Sequence, residues 1–273
     1  MTAIASSRRQ SSRGAIAAVV EVGFTHPQLP LFQVPDTLAA YQAIARWWRD
    51  QFSQPLIAVT GSVGKTTTKE LIAAVLSTMG LVHKSQANYN NEIGVPKTLL
   101  ELTPAHQYAV VEMGMRAAGE IALLTQIARP DIAVITNVGT AHIGRLGSEQ
   151  AIAQAKCELL TTMPPSGIAI LNQDNPLLLE TAAQVWSGKT ITYGLTGGTI
   201  QGTLQDAQTL SVGGMQLPLP LPGQHNALNY LAALAVAQVL GGELGTLGPG
   251  IDRDPTGGTR PTVSSAPGYG ASG

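Results

Sequence analysis

The stretch Pro55-Leu-Ile-Ala-Val-Thr-Gly-Ser-Val-Gly-Lys-Thr-Thr-Thr-Lys-Glu70 decides how the rest of the chain is interpreted. Its apolar run predicts a buried strand, its two glycines predict a tight turn, and the apolar spacing after Thr66 predicts a helix. Glycines let backbone N–H groups surround an anion, and a helix N-terminus favours negative charge. The stretch therefore predicts a phosphate-binding loop, although Val59 replaces the first glycine of the general G-x-x-x-x-G-K-[ST] pattern. A turn that merely joins a strand to a helix is the alternative.

Length and composition indicate a globular protein with balanced charge. The chain has 273 residues, of which 44% are hydrophobic, and its formal net charge is −1. Such a balance gives no electrostatic footprint for nucleic acid or for an anionic membrane. The sequence has no run of about 18 apolar residues, and a single cysteine, Cys157, excludes an intramolecular disulfide. We therefore expect a cytoplasmic protein that binds neither nucleic acid nor membrane. We also expect a monomer, although composition does not determine the oligomeric state.

The first part of the chain precedes the phosphate loop. Residues 1–13 are rich in Ser and Arg and are predicted to be disordered, with a weak targeting signal as the alternative. Residues 14–22 are predicted to form a short buried element, and residues 27–35 a linker. Asp36 then caps a predicted helix at 37–52, because the apolar residues there recur at helical spacing.

After the phosphate loop, strand-like and helix-like segments alternate. The predicted strands are 56–59, 81–84, 108–112, 131–138, 167–172 and 190–193. The predicted helices begin at 66 and cover 93–102, 119–128, 148–163, 175–185 and 226–240, and residues 199–221 are predicted to form an antiparallel edge. This order predicts an α/β fold with a mostly parallel sheet covered by helices on both faces. Ligands of such sheets bind beyond the carboxyl ends of the strands.

Polar clusters follow two of these strands. In Asn88-Tyr-Asn-Asn-Glu-Ile-Gly-Val-Pro96, the amides and the carboxylate could hold phosphate-bound Mg²⁺ or a substrate, or could be ordinary turn residues. Glu112 ends a strand that is expected to be buried, and a buried carboxylate is costly unless it is paired or bound to a metal. We favour Glu112 as a Mg²⁺ ligand over Glu112 in a structural salt bridge.

Three more polar positions are candidates for function. His142, in a Gly-rich loop, is either a metal ligand or an ordinary loop histidine. Lys156 lies on a helix of small and apolar residues. It is either a functional residue of the site or a lysine that extends its amine to solvent. Asn226 is predicted to cap the last helix, and Asn229, one turn later, faces either a base or water.

Together these motifs resemble the Mur ligases of bacterial peptidoglycan synthesis. The matching motifs, in order, are Thr-Gly-Ser-Val-Gly-Lys-Thr-Thr-Thr-Lys-Glu, Asn-Tyr-Asn-Asn-Glu-Ile-Gly-Val-Pro, Glu-Met-Gly, Thr-Asn-Val-Gly-Thr-Ala-His and Leu-Pro-Gly-Gln-His-Asn. They span residues 55–242 and look most like the members of the family that add D-alanyl-D-alanine. The folylpolyglutamate synthases share the ATPase plan but match the Asn-Tyr-Asn-Asn-Glu segment less well. The resemblance implies a P-loop ATPase domain of the Mur ligase type.

The resemblance also implies a role for each matching residue. Those that would bind ATP are Gly61, Ser62, Val63, Gly64, Lys65, Thr66, Thr67 and, at the adenine, Asn229. Those that would hold or position two Mg²⁺ ions are Thr66, Glu112, His142 and Lys156, the last as a carbamate formed with CO₂. Those implied in catalysis are Lys65, His142 and Lys156, and those implied near the γ-phosphate and substrate are Asn90, Asn91 and Glu92.

The implied reaction is an ATP-dependent amide ligation. A carboxylate of UDP-N-acetylmuramoyl-tripeptide attacks the γ-phosphate to give an acyl phosphate, and the amine of D-alanyl-D-alanine then displaces phosphate. Two alternatives are a catalytically incompetent ATP-binding module and a folylpolyglutamate synthase-like ligase. An unrelated P-loop kinase or GTPase predicts an Asn-Lys-x-Asp segment, which the sequence lacks.

The resemblance divides the chain into three parts. Residues 1–53 are expected to be the end of an N-terminal domain that binds the UDP sugar, together with a linker helix. Residues 54–242 are expected to be the central ATP-binding domain. Residues 243–273, rich in Gly, Pro, Ser and Thr, are expected to be a disordered or aberrant tail in place of the C-terminal ligase domain. We therefore expect a truncated chain whose ATPase domain folds but whose ligation is weak or absent.

Overall fold

The chain is built around one large sheet and two small ones. A computed structural model describes residues 14–141, 143–243, 250–253 and 259–262. The described strands are β1 (Ala18–Glu21), β2 (Leu31–Val34), β3 (Leu56–Thr60), β4 (Val82–Lys84), β5 (Tyr108–Glu112), β6 (Ile132–Ile135), β7 (Ile168–Asn172), β8 (Lys189–Gly194), β9 (Ile200–Leu204), β10 (Thr209–Val212), β11 (Met215–Pro218), β12 (Gly250–Arg253) and β13 (Thr259–Thr262).

The large sheet has nine strands in the order β11-β10-β9-β8-β7-β6-β3-β5-β4. The seven strands β9-β8-β7-β6-β3-β5-β4 all run parallel to one another. Strand β10 pairs antiparallel with β9 and with β11. The predicted mostly parallel α/β sheet is therefore confirmed, and so is the antiparallel edge predicted at 199–221. Strand β3, which leads into the phosphate loop, lies between β5 and β6.

Helices cover both faces of this sheet. The described helices are α1 (Thr37–Asp50), α2 (Lys65–Leu76), α3 (Gly94–Leu100), α4 (Glu120–Ala128), α5 (Ile143–Leu146), α6 (Glu149–Thr162), α7 (Pro176–Val185) and α8 (Gln224–Val239). Side chains of α2 and α8 enter one apolar core, and those of α1, α3, α4, α6 and α7 enter the other. Within the described residues, no helix is long and apolar enough to cross a membrane.

Strand β3 shows how the sequence produces the two cores. All five of its residues are buried. Leu56 and Ala58 lie in the core with α6, whereas Ile57 and Val59 lie in the core with α2 and α8. A strand that is covered on both sides needs apolar residues at every position, because successive side chains point to opposite faces. The continuous apolar run before the phosphate loop meets this requirement.

Predictions for two helix ends have different outcomes. Asp36 caps α1 as predicted, since its carboxylate accepts hydrogen bonds from two first-turn N–H groups at 2.7 and 3.0 Å. The prediction that Asn226 caps the last helix is wrong, because α8 begins two residues earlier, at Gln224. The Asn226 side chain instead donates to the Pro222 carbonyl at 2.9 Å.

Residues 14–35 differ from their predicted structure. Strands β1 and β2 pair in parallel as a separate sheet, so residues 27–35 are more than a linker. Residues 14–22 are not a buried element, since Val22 is 70% exposed and its neighbours in β1 alternate between half-buried and exposed. The small sheet lies outside the two main cores, which explains why its apolar side chains stay accessible. Residues 1–13 lie outside the described residues.

The tail prediction is wrong in part. Strands β12 and β13 pair antiparallel with each other, so these two segments are not disordered as predicted. The remaining residues from 244 onward lie outside those that the structure describes.

A buried arginine ties α1 to the start of the central strand. The Arg49 guanidinium donates to the carbonyls of Ala128, Phe52 and Arg129. It also donates to the Asp131 carboxylate at 3.0 Å, and this carboxylate accepts from the Leu56 N–H at 2.8 Å. Burial lowers the pKa of Arg49, and Asp131 opposes that shift. Four acceptors thus depend on one planar donor group, a geometry that lysine cannot reproduce.

Arg49→Lys is expected to lower the free energy of unfolding by about 2–3 kcal/mol, because it leaves buried carbonyls without donors. Urea unfolding followed by circular dichroism measures the change. Arg129→Lys is the matched control, since Arg129 pairs with Asp50 at 2.7 Å on the surface and such pairs contribute about 0–1 kcal/mol. Equal losses in the two variants would contradict the assignment.

Candidate nucleotide-binding site

The site forms where three adjacent strands end. Val59 of β3 pairs with Glu112 of β5, and Thr60 pairs with Ile135 of β6. The phosphate loop, Glu112 and the loop that follows β6 therefore emerge side by side. This placement is the one expected for ligand sites in parallel sheets, at the carboxyl ends of the strands.

The phosphate loop has the shape that its glycines predict. Gly64 precedes α2 with a φ of +80°, which disfavours any residue with a side chain. A Cβ at Gly64 would also lie 2.6 Å from Oδ1 of Asn229, and a Cβ at Gly61 would collide with the Thr136 hydroxyl. The N–H groups of Lys65, Thr66 and Thr67 begin the helix and have no acceptor within it. They are the natural donors to an anion.

Lys65 is folded back onto its own loop. Its amine donates to the Gly61 carbonyl at 2.9 Å and lies 3.5 Å from the Ser62 carbonyl. Burial lowers the pKa of Lys65, while the negative charge of Glu112 acts in the opposite direction. Two carbonyls are weak substitutes for a phosphate, so this amine is held where an anion would improve its environment.

Glu112 is almost completely buried, at 2% exposure, and three side chains surround its carboxylate. Thr66 donates to one oxygen at 3.0 Å, and Asn90 donates to the other at 2.8 Å. The amine of Lys69 lies 3.5 Å from the first oxygen. The sequence offered two interpretations of Glu112, a metal ligand and a partner in a salt bridge. The contact with Lys69 in the free protein does not exclude metal binding, so the two interpretations are compatible.

The oxygens of Glu112 and Thr66 suit Mg²⁺. Among the described residues, no group of three or more His, Cys, Asp or Glu side chains could bind a metal ion. Mg²⁺ at nucleotide sites needs fewer protein ligands, because phosphate oxygens and waters complete its coordination. One carboxylate and one hydroxyl, 3.0 Å apart, are sufficient for this kind of site.

Lys156 is buried on α6, with 1% exposure. Burial, together with a smaller effect of the positive charge of Lys65, lowers its pKa to about 7. Much of this amine is therefore neutral near neutral pH, unlike an ordinary lysine. The alternative in which Lys156 extends its amine to solvent is wrong. Cys157 beside it is a core residue, and burial raises its pKa to about 12.

The three residues predicted near the substrate have different surroundings. A cavity of about 280 Å³ is lined by Lys65, Asn88, Asn90, Asn91, Gly114, Met115, Arg116 and Glu120. Asn90 and Asn91 face this cavity, although Asn91 also accepts from the Gly94 N–H at 2.8 Å. Glu92 lines a smaller adjoining cavity and pairs with Arg116 at 3.4 Å.

Asn229 touches the phosphate loop from α8. It is 8% exposed, and its Oδ1 accepts from the Thr68 hydroxyl at 3.1 Å. Its contact with Gly64 places it beside the loop rather than in open solvent, so the alternative in which it faces water is wrong. His142 lies outside the described residues, and its predicted roles remain predictions.

Four residues of this region were not singled out from the sequence. Lys69 is fully buried and contacts Glu70 at 3.3 Å in addition to Glu112. Arg116 lines the large cavity, while Thr136 and Asn137 hydrogen-bond to the phosphate loop. The usable signal for Thr136 and Asn137 was their position directly after a buried strand. Lys69 and Arg116 give no such signal, because isolated cations usually face solvent.

Comparison with known proteins identifies a family and several relatives of this chain. The Mur ligase middle domain family matches residues 59–237. A UDP-N-acetylmuramoyl-tripeptide–D-alanyl-D-alanine ligase from Synechocystis sp. is 64% identical over 233 residues, which are 84% of this chain and 50% of that protein. The protein of the same name from Escherichia coli is 37% identical over 253 residues, or 89% of this chain and 56% of the relative. A crystal structure of MurF ligase from Thermotoga maritima in complex with ADP aligns with a TM-score of 0.79 at 27% identity, covering 92% of this chain and 63% of that one.

The chain spans about half the length of the curated relatives it matches. The matched family segment includes the phosphate loop, Glu112, Lys156 and Asn229, and it covers more than half of this chain. By its matched segment, its strand order and its phosphate loop, the chain belongs to the Mur ligase family, of which it carries the middle domain.

Proposed function

We propose that this chain carries the ATP-using site of a ligase that joins D-alanyl-D-alanine to UDP-N-acetylmuramoyl-tripeptide through an acyl phosphate. The single observation that supports this most is the meeting of the phosphate loop with the buried Glu112 at the end of β5. The 64% identity to a ligase of that name supports the substrate assignment. Neither alternative, an incompetent ATP-binding module or a folylpolyglutamate synthase-like ligase, is better supported.

The nucleotide would lie with its phosphates at the start of α2. The N–H groups of Lys65, Thr66 and Thr67 point to that position, and the helix dipole favours negative charge there. The amine of Lys65 is 2.9 Å from the Gly61 carbonyl and can exchange this weak acceptor for a phosphate oxygen. Asn229 would contact the adenine through its amide nitrogen, because Thr68 already uses its oxygen.

Glu112 and Thr66 would hold the first Mg²⁺, and Lys156 with His142 would serve a second. A bound Mg²⁺ supplies charge neutralisation for phosphoryl transfer. The chain's own contribution is to fix the Glu112 carboxylate, since Asn90 holds one of its oxygens at 2.8 Å. Lys65 offsets the negative charge that builds on the transferred phosphoryl group.

The acyl substrate would enter the cavity of about 280 Å³ beside Lys65. Three asparagine amides line this cavity, and amides bind carboxylates without adding charge. The Arg116 guanidinium is half-exposed and lies 3.4 Å from Glu92 and 3.8 Å from Glu120. Because solvent-exposed ion pairs contribute little, these two pairs are weak and exchangeable. An anionic peptide can therefore recruit Arg116 at little cost.

Lys156 would react with CO₂ to form a carbamate. Its neutral amine attacks the carbon of CO₂, a C–N bond forms while the electron pair of one C=O π bond moves to oxygen, and the nitrogen releases one proton to solvent, so that a neutral amine becomes an anionic carbamate. The pKa of about 7 supports this reaction, because only the unprotonated amine is nucleophilic. The buried Thr60 hydroxyl has no hydrogen-bond partner among the described residues. By strand alternation it faces the same side of the sheet as α6, where a carbamate would add acceptors.

We also propose that the protein is cytoplasmic and monomeric and that it has no nucleic-acid or membrane partner.

A chimera tests the proposed function independently of chain length. Residues 59–237 of this chain would replace the matching segment of the Synechocystis ligase. We expect ATP-dependent addition of D-alanyl-D-alanine to UDP-N-acetylmuramoyl-tripeptide, detected by mass spectrometry. A folded chimera that binds Mg-ADP but forms no product would refute the proposal.

Glu112→Gln is expected to weaken Mg-ADP binding about 10-fold or more, because a neutral amide is a poor Mg²⁺ ligand. Binding of ADP in EDTA is expected to stay equal or to tighten, since a negative charge near the phosphates is lost. Isothermal titration calorimetry measures both affinities. Glu180→Gln, at an exposed position of α7, is the control. Equal loss with and without Mg²⁺ would argue against metal binding by Glu112.

Lys156 carbamylation predicts a ¹³C carbamate NMR signal when the protein is incubated with ¹³C-bicarbonate. The signal should increase from pH 6 to pH 8, because a depressed pKa of about 7 means that the neutral amine grows as the pH rises through that value. Lys156→Gln should remove the signal, and Lys189→Gln, at an exposed position of β8, should retain it. An unchanged spectrum in Lys156→Gln would rule out this site.

A further inference from the structure

The phosphate loop and the loop after β6 are joined by two reciprocal side-chain pairs. Asn137 accepts from the Val63 N–H at 3.1 Å and donates to the Val63 carbonyl at 3.0 Å. The Ser62 hydroxyl accepts from the Gly139 N–H at 2.9 Å and donates to the Gly139 carbonyl at 3.2 Å. We name these four hydrogen bonds between Ser62, Val63, Asn137 and Gly139 the loop clasp.

The loop clasp compensates for a lack of side-chain packing. Val63 is 62% exposed, so burial of its side chain does not hold the phosphate loop in place. Both polar groups of its backbone are nevertheless bonded, and the Thr136 hydroxyl adds a second donor to its carbonyl at 2.7 Å. The Ser62 N–H also donates to the Asn137 carbonyl at 3.0 Å. The loop is therefore fixed by polar contacts to residues more than 70 positions away in the sequence.

The loop clasp also divides the donors of the loop into two groups. The Val63 N–H is occupied by Asn137, whereas the first-turn N–H groups of Lys65, Thr66 and Thr67 have no acceptor within their helix. An arriving phosphate therefore meets the first-turn donors and not Val63. This differs from the role for Val63 implied by the family resemblance, in which it binds ATP.

We propose that Asn137 and Ser62 are positioning residues that hold the phosphate loop in its nucleotide-receiving shape before nucleotide binds. A loop that is already fixed loses little conformational entropy on binding, and so binds more tightly. The ligand in this proposal, a nucleotide with Mg²⁺, rests on the proposed function. The existence of the loop clasp does not.

An opposing interpretation treats Asn137 as a placeholder that phosphate displaces from Val63. The chemistry of the pair argues against it. A phosphate oxygen can replace Oδ1 of Asn137 as an acceptor, but it cannot replace Nδ2 as a donor to the Val63 carbonyl. Displacement would therefore break two hydrogen bonds and restore one.

Titration calorimetry with Mg-ADP separates the two interpretations. Positioning predicts that Asn137→Ala raises the Kd about 10- to 100-fold and Ser62→Ala about 5- to 10-fold. The double variant should lose less than the product of the two factors, because either change alone frees the loop. A placeholder predicts an equal or lower Kd for Asn137→Ala, which would overturn the proposal.

A matched control addresses general damage to the loop after β6. Asn175 donates to the Val138 carbonyl at 2.9 Å and also accepts from the Leu178 N–H. Asn175→Asp removes the first bond and keeps the second, without touching the phosphate loop. Its Kd for Mg-ADP should stay within about 2-fold of the wild type, since the loop clasp is intact. A loss equal to that of Asn137→Ala would overturn the positioning role, as would a melting temperature that falls in step with affinity in every variant.

Amide hydrogen exchange tests the loop clasp without nucleotide. In the free wild-type protein, the N–H groups of Val63 and Gly139 should be protected. Asn137→Ala should expose Val63, and Ser62→Ala should expose Gly139. Fast exchange at both amides in the wild type would overturn the proposal whatever the nucleotide affinity. Protected amides in a wild-type chain that fails to bind Mg-ADP would instead refute the proposed nucleotide site.

Discussion

The site depends on the register of three parallel strands. Strands β3, β5 and β6 pair so that Val59 lies beside Glu112 and Thr60 beside Ile135. A slip of one residue would send every apolar side chain of β3 into the opposite core, so the cores enforce this register. The phosphate loop, the Glu112 carboxylate and the loop after β6 consequently start at the same level of the sheet. Hydrophobic packing that never touches a ligand thus positions the polar groups that do.

Positive charge is concentrated at this edge of the sheet. Lys65, Lys69 and Lys156 lie in or beside the site, and two of them are almost completely buried. Burial lowers the pKa of both Lys65 and Lys156, and the positive charge of Lys65 contributes to the shift of Lys156. Keeping the Lys65 amine charged costs free energy in the free protein, because burial removes water from it and two carbonyls are its hydrogen-bond partners. A polyanion removes that cost when it binds, which makes a triphosphate a better partner for this edge than a neutral molecule.

The sequence predicts those parts of the fold whose signal is local. Continuous apolar runs predict the buried strands, and the Gly64-Lys65-Thr66 turn predicts the phosphate loop. The prediction for residues 14–35 was wrong, because a short run of Ala and Val does not reveal whether another element covers it. The position of Asn137 directly after a buried strand was a usable signal for a site residue, but its contact with the phosphate loop could not be predicted. Its partner Val63 lies 74 positions away, and only the strand register brings the two together.

Lys65 and Lys69 show how the fold supports two like charges four residues apart on α2. Such a pair is mutually repulsive on one helix face. The Glu112 carboxylate, 3.5 Å from the Lys69 amine, offsets part of this repulsion. Lys69 also contacts Glu70 at 3.3 Å, and Glu70 contacts Lys84 on the partly exposed edge strand β4. Because Glu70 compensates Lys69 independently, the Glu112 carboxylate can share its charge with a metal ion without leaving a buried ammonium group unpaired.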